Sequence, residues 1–375
     1  MQLSETVKIY PTEYQKHLII DAMTEYINTV NNLVSDAVSG HSIAKITTAD
    51  VNVNLPSALT NQCIRDAKSI VRKHYKICHN TVLKNRSLAK RGSVIRIKAP
   101  NLPILRKPCC YINNQNYKIK DNSIEFPVMV DGKSKRISVL ARLTERQKSL
   151  FPDTKFGTMR IVIKDNTLVV QIVYEISEPE LKTDGNIMGV DLGVKCPAVS
   201  YCSDGSVKFY GNGRKNKYIR RHYAYLRKKL QTSKKIKAVK RVNNKEQRIM
   251  RDIDHKISHN IVETAVAHNV KVIKLEQLQN IRSTTRQSRK NNHSLHTWSF
   301  YRLAKFIEYK ARLVGIAVEY VNPAYTSQRC PICGSVHHAN DRNYTCECGF
   351  HIHRDLLGAM NIERSTEFVG NRQTA

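Results

Sequence analysis

The sequence predicts an α/β protein with all-β and helical parts attached. Three observations carry that expectation. Apolar residues recur at helical spacing up to about residue 82, alternate with polar ones from about Val94 to Tyr174, and form short solid apolar strands separated by helical stretches from Asn186 onward. The 375 residues suffice for two or three packed units, and 41% hydrophobic residues with only 15 Gly and 11 Pro exclude a disordered or fibrous chain.

Residues 1–10 read as a short strand. From Pro11 to Val38 the positions Leu18, Ile19, Met23, Tyr26, Ile27, Val30, Leu33 and Val34 mark one face of a helix. After a break at Gly40, residues 61–82 read as a second helix, with Ile64, Ala67, Ile70, Val71, Tyr75 and Cys78 on one side. Its basic side carries Arg65, Lys68, Arg72, Lys73 and Lys76. Such a helix packs on a core and meets phosphates at once, although for any single lysine an ordinary solvated surface is the commoner explanation. The period then becomes two in Ile95-Arg96-Ile97-Lys98, Tyr117-Lys118-Ile119-Lys120 and Arg160-Ile161-Val162-Ile163. Asp165-Asn166 turns the last of these into Leu168–Tyr174. Several short strands with turns predict a small barrel or sandwich.

Residues 178–185, acidic and holding Pro179, read as a linker. Ile187–Val194 is a buried strand with Asp191 set into it, and Ala198–Tyr201 and Val207–Tyr210 continue as strands that turn at Asp204-Gly205. Lys208 to Arg251 holds 17 Lys or Arg and one acid, Glu246, and reads as long basic helices. Val270–Leu275 is a strand ending in Glu276, Ser299–Val314 an amphipathic helix, and Ala317–Val321 another strand. The polar tail after Glu363 is expected to fray, and there is no internal repeat.

Charge narrows the function. The chain has 62 Lys and Arg against 31 Asp and Glu, a formal net charge of +31. So large an excess repels itself unless a polyanion neutralises it, and nucleic acid is the usual partner. No run of eighteen apolar residues exists, so no membrane span and no membrane partner is expected. The opening Met1-Gln2-Leu3-Ser4-Glu5 does not read as a signal peptide, and a cytoplasmic protein is expected.

Three acids stand out by context. Asp191 lies in an apolar strand between Gly189 and Gly193, Glu276 ends a second apolar strand, and Asp355 opens a short helix with small Gly358 and Ala359. An unpaired carboxylate buried in such a setting costs several kcal/mol, so a charged partner such as a metal ion is expected. Taken singly, Asp191 could cap a turn and Glu276 could pair with a lysine. As a set of three in a strongly basic chain, they suit two Mg²⁺ ions, or Mn²⁺ in their place, arranged for in-line phosphodiester hydrolysis.

Ten cysteines in a cytoplasmic chain argue against a disulfide framework. Cys63, Cys78, Cys109, Cys110, Cys196 and Cys202 show no metal-ligand spacing and read as small apolar fillers. Cys330-Pro331-Ile332-Cys333-Gly334 and Cys346-Glu347-Cys348-Gly349 differ, because each pair sits on a tight knuckle with a Gly just behind it. Four thiolates so spaced predict one structural Zn²⁺, with a hairpin between the pairs. His337, His338, His351 and His353 lie close in sequence but are not needed as ligands.

The order of these motifs resembles the TnpB family of transposon-encoded nucleases, related to the ancestors of type V CRISPR effectors. The resemblance rests on Lys8-Ile9-Tyr10-Pro11-Thr12, Gly189-Val190-Asp191-Leu192-Gly193, Lys274-Leu275-Glu276-Gln277-Leu278, Trp298-Ser299-Phe300-Tyr301, Pro323-Ala324-Tyr325-Thr326-Ser327-Gln328, the four cysteines, and Arg354–Ile362. Each motif is short, but their order and spacing together are specific. One departure is Leu357-Gly358, where many members carry Asn-Ala.

The resemblance implies an RNase H-like RuvC domain, at 183–327 and 353–364, interrupted by a zinc-ribbon module at 328–352. It implies a wedge β-barrel at 1–10 and 91–182 carrying a helical recognition insertion at 11–90, with a disordered tail at 365–375. It further implies a guide RNA from the transposon end, a double-stranded DNA target with a displaced single strand, and a short target-adjacent motif read by the protein. Asp191, Glu276 and Asp355 carry over as catalytic, Mg-binding acids. Lys68, Arg72, Lys76, Arg220, Arg221, Arg227, Lys228 and Arg329 are candidate nucleic-acid contacts. Competing readings are an RNA-guided regulator that binds without cutting, a DNA-binding accessory factor of transposition, and a junction nuclease. The intact acids argue against the first, and the basic N-terminal half with the cysteine insertion argues against the last.

Overall fold

The computed structural model describes residues 1–152, 154–242, 244–278, 298–339 and 341–369. It divides into two compact units, residues 1–177 and 178–375.

The first unit is a sheet with two long helices. Its strands are β1 (Gln2–Tyr10), β2 (Cys109–Ile112), β3 (Lys118–Lys120), β4 (Ser123–Val130), β5 (Lys133–Arg142), β6 (Lys155–Lys164) and β7 (Thr167–Glu175). The helices are α1 (Glu13–Val38), α2 (Ser57–Lys90) and the short α3 (Glu145–Leu150). All strand pairs are antiparallel, in the order β2-β6-β7-β1-β5-β4-β3. That order is linear, so the hydrogen bonding leaves two edges, at β2 and β3, and the small barrel or sandwich expected here is a half-barrel sheet. Asp165 and Asn166 both adopt positive φ, at 47° and 65°, which is what a two-residue turn between β6 and β7 demands. Thr12 starts α1 with a reciprocal cap: its hydroxyl accepts from the Gln15 amide, and the Gln15 side chain accepts from the Thr12 amide. One core joins sheet and helices, with Val7, Ile9, Phe126 and Val170 meeting Met23, Tyr26, Leu59 and Ala67. Residues 95–98 form no strand. The Asn85 side chain takes both the N–H and the carbonyl of Ile97, which satisfies that backbone without a sheet neighbour.

The second unit holds β8 (Asn186–Asp191), β9 (Ala198–Cys202), β10 (Val207–Tyr210), α4 (Gly213–Thr232), α5 (Ile236–Val242), α6 (Lys245–Ala267), β11 (Val270–Glu276), α7 (Phe300–Arg312), β12 (Ala317–Val321), β13 (Asn343–Thr345), β14 (His351–His353) and α8 (Arg354–Arg364). The basic segment is helical, as its composition suggested. The main sheet runs β10-β9-β8-β11-β12. β8, β11 and β12 are parallel, β9 is antiparallel to β8, and β10 is antiparallel to β9.

Strand alternation sorts the two faces of β8. Met188 and Val190 enter the core with Ile273, Leu275, Ile261 and Ile307, whereas Gly189 lies against α8. A Cβ on Gly189 would sit 2.1 Å from the Ala359 carbonyl oxygen, so only glycine lets helix and strand approach this closely. Lys274, opposite Gly189 in the β11–β8 register, is buried and donates to the carbonyls of Glu363 and Ser365, each at 2.8 Å. An ammonium there binds the carbonyls exposed at the C-terminal end of α8 and fixes the helix on the sheet.

Two further expectations need correction. The chain after α8 does not fray at once: the Asn322 amide donates to the Glu367 carbonyl and the Val369 amide to that of Tyr320, so residues 367–369 run along the otherwise open edge of β12. The hairpin of the cysteine module, β13 paired with β14, brackets the second cysteine pair instead of lying between the two pairs. Among the described residues no helix is long and apolar enough to cross a membrane.

Candidate active site and cysteine module

The sheet register brings two acids together. Leu275 pairs with Val190, so the next residues along these parallel strands, Glu276 and Asp191, end neighbouring strands on the same face. That edge, at the C-terminal ends of parallel strands, is where α/β sheets commonly place a site. Asp355 arrives from the first turn of α8, whose packing on Gly189 sets its height above the sheet. Gly358, one turn further on, lies against Asp191: a Cβ there would be 3.1 Å from Asp191 Oδ2.

The three carboxylates are half-buried and sense one another. Burial, then the charges of Glu276 and Asp355, push Asp191 well above the ordinary carboxylate range, while Arg354 and Arg342 pull the other way. Burial also raises Glu276, against the pull of a hydrogen bond donated by the Thr326 hydroxyl. Asp355 is held differently. Arg342 Nη1 lies 2.5 Å from one of its oxygens and 2.7 Å from the other. His353 Nδ1 accepts from the Asp355 amide at 3.2 Å and so caps α8. Like charges crowded under burial, with a guanidinium on one of them, are a donor set that suits hard divalent cations.

The four cysteines form a tighter cluster. Cys330, Cys333, Cys346 and Cys348 are the group, among the described residues, whose ligand atoms all lie within 4.8 Å of one another; the three carboxylates do not close to that distance as a set. Cys330 and Cys348 Sγ are 3.6 Å apart, and those of Cys333 and Cys346 3.4 Å. Zn–S bonds of about 2.3 Å in a tetrahedron place sulfurs about 3.8 Å apart, so the cluster fits one zinc ion. Hydrogen bonds from the Ser335 side chain and backbone draw Cys333 down to about 6. Cys348 moves the other way: against a hydrogen bond from the Phe350 backbone, burial and the three neighbouring sulfurs push it up to about 12, as expected of thiols crowded together without a cation between them. The nearby histidines are not part of the set: His351 pairs with Thr345 at 2.8 Å, and His353 caps α8.

A cleft of about 640 Å³ opens beside Asp355, lined by Lys195, Arg214, Lys217, Arg220 and Arg221 together with the aromatic Phe209 and Trp298. Cations with interleaved aromatics suit a single nucleic-acid strand, whose phosphates and bases need different partners. Of the basic residues singled out by sequence, Arg220 and Arg221 line this cleft. Lys228 is exposed on α4, and Arg72 and Lys76 are exposed on α2. Arg227 pairs with Glu246 at 2.7 Å, and Lys68 donates to the Ala44 and Ile46 carbonyls, so both already serve the fold. Arg329 is exposed, with its carbonyl held by Asn361. Lys274 and Thr326 stand inside two of the quoted motifs without a role assigned to them by sequence, and Arg342 was not singled out at all. It lies in the stretch between the cysteine pairs, where no motif marks it.

Comparison with known families matches residues 171–282 to one described as "Probable transposase" and residues 300–362 to one described as "Cas12f1-like, TNB domain". A TnpB-like protein of Methanocaldococcus jannaschii is 30% identical over 256 residues, covering 63% of this chain and 89% of that protein. The CRISPR-associated endodeoxyribonuclease Cas12f1 of Syntrophomonas palmitatica is 25% identical over 342 residues, covering 83% of this chain and 67% of that protein. Among solved structures, the protein of a Cas12f1–sgRNA–target DNA complex superposes with a TM-score of 0.59 at 12% identity, over 98% of this chain and 99% of that one, which makes the two folds alike.

Proposed function

The chain belongs to the TnpB-like protein family, and from that premise we propose that it is an RNA-guided DNA endonuclease of a transposable element, cutting with a single RuvC-type site. The observation that carries the reading is the convergence of Asp191, Glu276 and Asp355 at the C-terminal edge of parallel strands beside a basic cleft. The name of the Cas12f1 relative, an endodeoxyribonuclease, supports it. So does the charge of +31, which suits a chain that holds a guide RNA and its DNA target by their phosphates.

In this reading residues 1–10 and 91–182 are the wedge region, 11–90 the recognition helices, 183–327 with 353–364 the RuvC-like domain, and 328–352 the zinc-ribbon module. Lys195, Arg214, Lys217, Arg220 and Arg221 bind the phosphates of the displaced strand, while Phe209 and Trp298 offer faces for its bases. Asp191, Glu276 and Asp355 hold two Mg²⁺ ions or Mn²⁺, and Lys274 keeps α8, and with it Asp355, at its height on the sheet. The cations supply Lewis-acid activation of water and charge stabilisation at the leaving 3′ oxygen. Cys330, Cys333, Cys346 and Cys348 hold one structural zinc ion.

The test is a plasmid-cleavage assay. Protein co-expressed with the RNA of its transposon end is incubated with Mg²⁺ and plasmids bearing the guide-matched target beside randomised bases. Cleavage confined to particular adjacent bases, and lost in Asp191→Ala, is the expected result. Target binding without cleavage by the unaltered protein would favour the regulator reading. Folded, RNA-loaded protein that neither binds nor cuts would overturn RNA guidance.

A further inference from the structure

We propose that Thr326 is a positioning residue for Glu276, and that Asn361 locks it in place, tying one acid of the site to the helix that carries another. The inference rests on reading Asp191, Glu276 and Asp355 as the cation-binding acids.

Glu276 sits at the end of β11, where the strand's hydrogen bonding is finishing: the Gln277 amide still reaches the Val321 carbonyl, and regular pairing stops there. A long carboxylate at such a point has no ladder to fix its side-chain angles. Thr326 supplies the constraint. It is 8% exposed, and its hydroxyl lies against Glu276 Oε1 as well as 3.2 Å from the Pro323 carbonyl. A hydroxyl has one proton to give, and the closer, charged acceptor takes it. The bond commits Oε1 and leaves the other oxygen of Glu276 outside Thr326's reach.

The backbone around Thr326 is built to hold this geometry. Tyr325, a non-glycine residue, adopts φ of 61°, which turns the chain back after β12. The amides of Gln328 and Arg329 both return to the Tyr325 carbonyl, closing a tight turn. Asn361 then donates from one nitrogen to the carbonyls of Thr326 and Arg329, each at 2.7 Å. Asn361 belongs to α8, the helix that opens with Asp355, and Arg329 immediately precedes Cys330. One amide side chain therefore fixes Thr326 and the root of the cysteine module to the helix of the third acid. Glu276 and Asp355, 79 residues apart in sequence, are connected through Thr326, Asn361 and α8.

Groups that orient metal ligands are worth about 10–100-fold in metal affinity. Mn²⁺ binding to the full-length protein is measured by titration calorimetry for the unaltered chain and for Thr326→Val, Thr326→Ser, Asn361→Ala, Thr326→Val with Asn361→Ala, and Asp191→Ala, with thermal unfolding confirming that each is folded. Thr326→Val is expected to weaken Mn²⁺ binding about tenfold or more. Thr326→Ser, which keeps the hydroxyl, is expected to bind as the unaltered chain does. The double variant is expected to be no weaker than Thr326→Val alone, because Asn361 acts through Thr326. Normal binding by Thr326→Val, with Asp191→Ala impaired, overturns the role of Thr326 and leaves the acids in place. Equal weakening by Thr326→Ser and Thr326→Val also overturns it, because the hydroxyl would then not be the active group. Unimpaired binding by Asp191→Ala removes the cation-site reading itself, and the proposal with it.

Discussion

Arg342, carried by the stretch between the two cysteine pairs, places one guanidinium nitrogen across both oxygens of Asp355, at 2.5 and 2.7 Å. The position is fixed from behind, because the Arg354 amide donates to the Arg342 carbonyl at 2.7 Å next to the β13–β14 hairpin. A guanidinium spanning a carboxylate does what a metal cation would do for it, so the two compete. Arg342→Ala is expected to tighten Mn²⁺ binding several-fold while costing the metal-free protein about 1–3 kcal/mol through the lost charged hydrogen bonds. Calorimetry and thermal unfolding with and without Mn²⁺ read both effects. An unchanged or weaker Mn²⁺ affinity in the variant would remove the competition.

Asp191 leads to a stability prediction with a definite sign. Burial and the neighbouring acids hold its folded-state pKa well above the ordinary value. In the unfolded chain an aspartate titrates near 3.9. The metal-free fold therefore holds the proton more tightly than the unfolded chain. It loses stability as pH rises from about 3.9 to the raised folded value, and is flat above that. Asp191→Asn removes the charge and should flatten this interval. At neutral pH without metal it should melt at a higher temperature than the unaltered protein, and it should not cut DNA. Equal melting temperatures across the pH series would show that neither burial nor the neighbouring acids raise Asp191 in the fold.

Local rules made much of this fold legible in the sequence. The Asp165-Asn166 turn, the Asp204-Gly205 turn and the strand ending in Glu276 follow from period and turn chemistry acting over a few residues, whereas the strand read as running to Val194 stops at Asp191. The cysteine spacing likewise announced a cluster, and the four sulfurs meet. The roles of Arg342 and Thr326 were not legible, because each acquires its role from a partner 13 or 50 residues away: no motif marks Arg342, and the Pro323–Gln328 motif that contains Thr326 does not say which acid it serves. Residues 95–98 alternate like a strand, but an asparagine on α2 takes both backbone groups of Ile97, and no alternation rule can see that. The edge pairing of residues 367–369 was hidden for a similar reason: a polar segment pairs through its backbone, which composition does not report.

The cysteine cluster predicts a measurable stoichiometry. Purified protein should carry one zinc ion per chain, released by a thiol-modifying reagent and read with a chromogenic chelator. Structural zinc in small sites contributes about 10–16 kcal/mol of apparent binding energy, so its loss should melt the module that it closes. Cys346→Ser should therefore abolish zinc binding and expose the amides of residues 328–352 to hydrogen exchange. The sheet of the second unit, whose core is Met188, Val190, Ile273 and Leu275, should keep its protection. Protection of the module unchanged by the substitution would mean that zinc does not hold it together.

Gly189 and Gly358 both face the contact between β8 and α8, yet alanine should act differently at each. At Gly189 the new Cβ would lie 2.1 Å from the Ala359 carbonyl and 2.4 Å from the Glu363 amide nitrogen, which are backbone atoms and cannot turn aside. Helix and strand must separate, with a loss of about 3 kcal/mol or more, in the range of overpacked cores. At Gly358 the Cβ would meet Asp191 Oδ2 at 3.1 Å, a side-chain atom that can rotate away. The helix gains about 1 kcal/mol from replacing glycine, so the fold should be as stable as before or slightly more so. What changes is the direction of the Asp191 carboxylate, and with it the cation site. Gly358→Ala should thus keep or raise the melting temperature while weakening Mn²⁺ binding, whereas Gly189→Ala should lower the melting temperature first. If Gly358→Ala bound Mn²⁺ as the unaltered chain does, Asp191 would have room to hold its rotamer beside a methyl group, and the close fit of α8 would matter for packing alone.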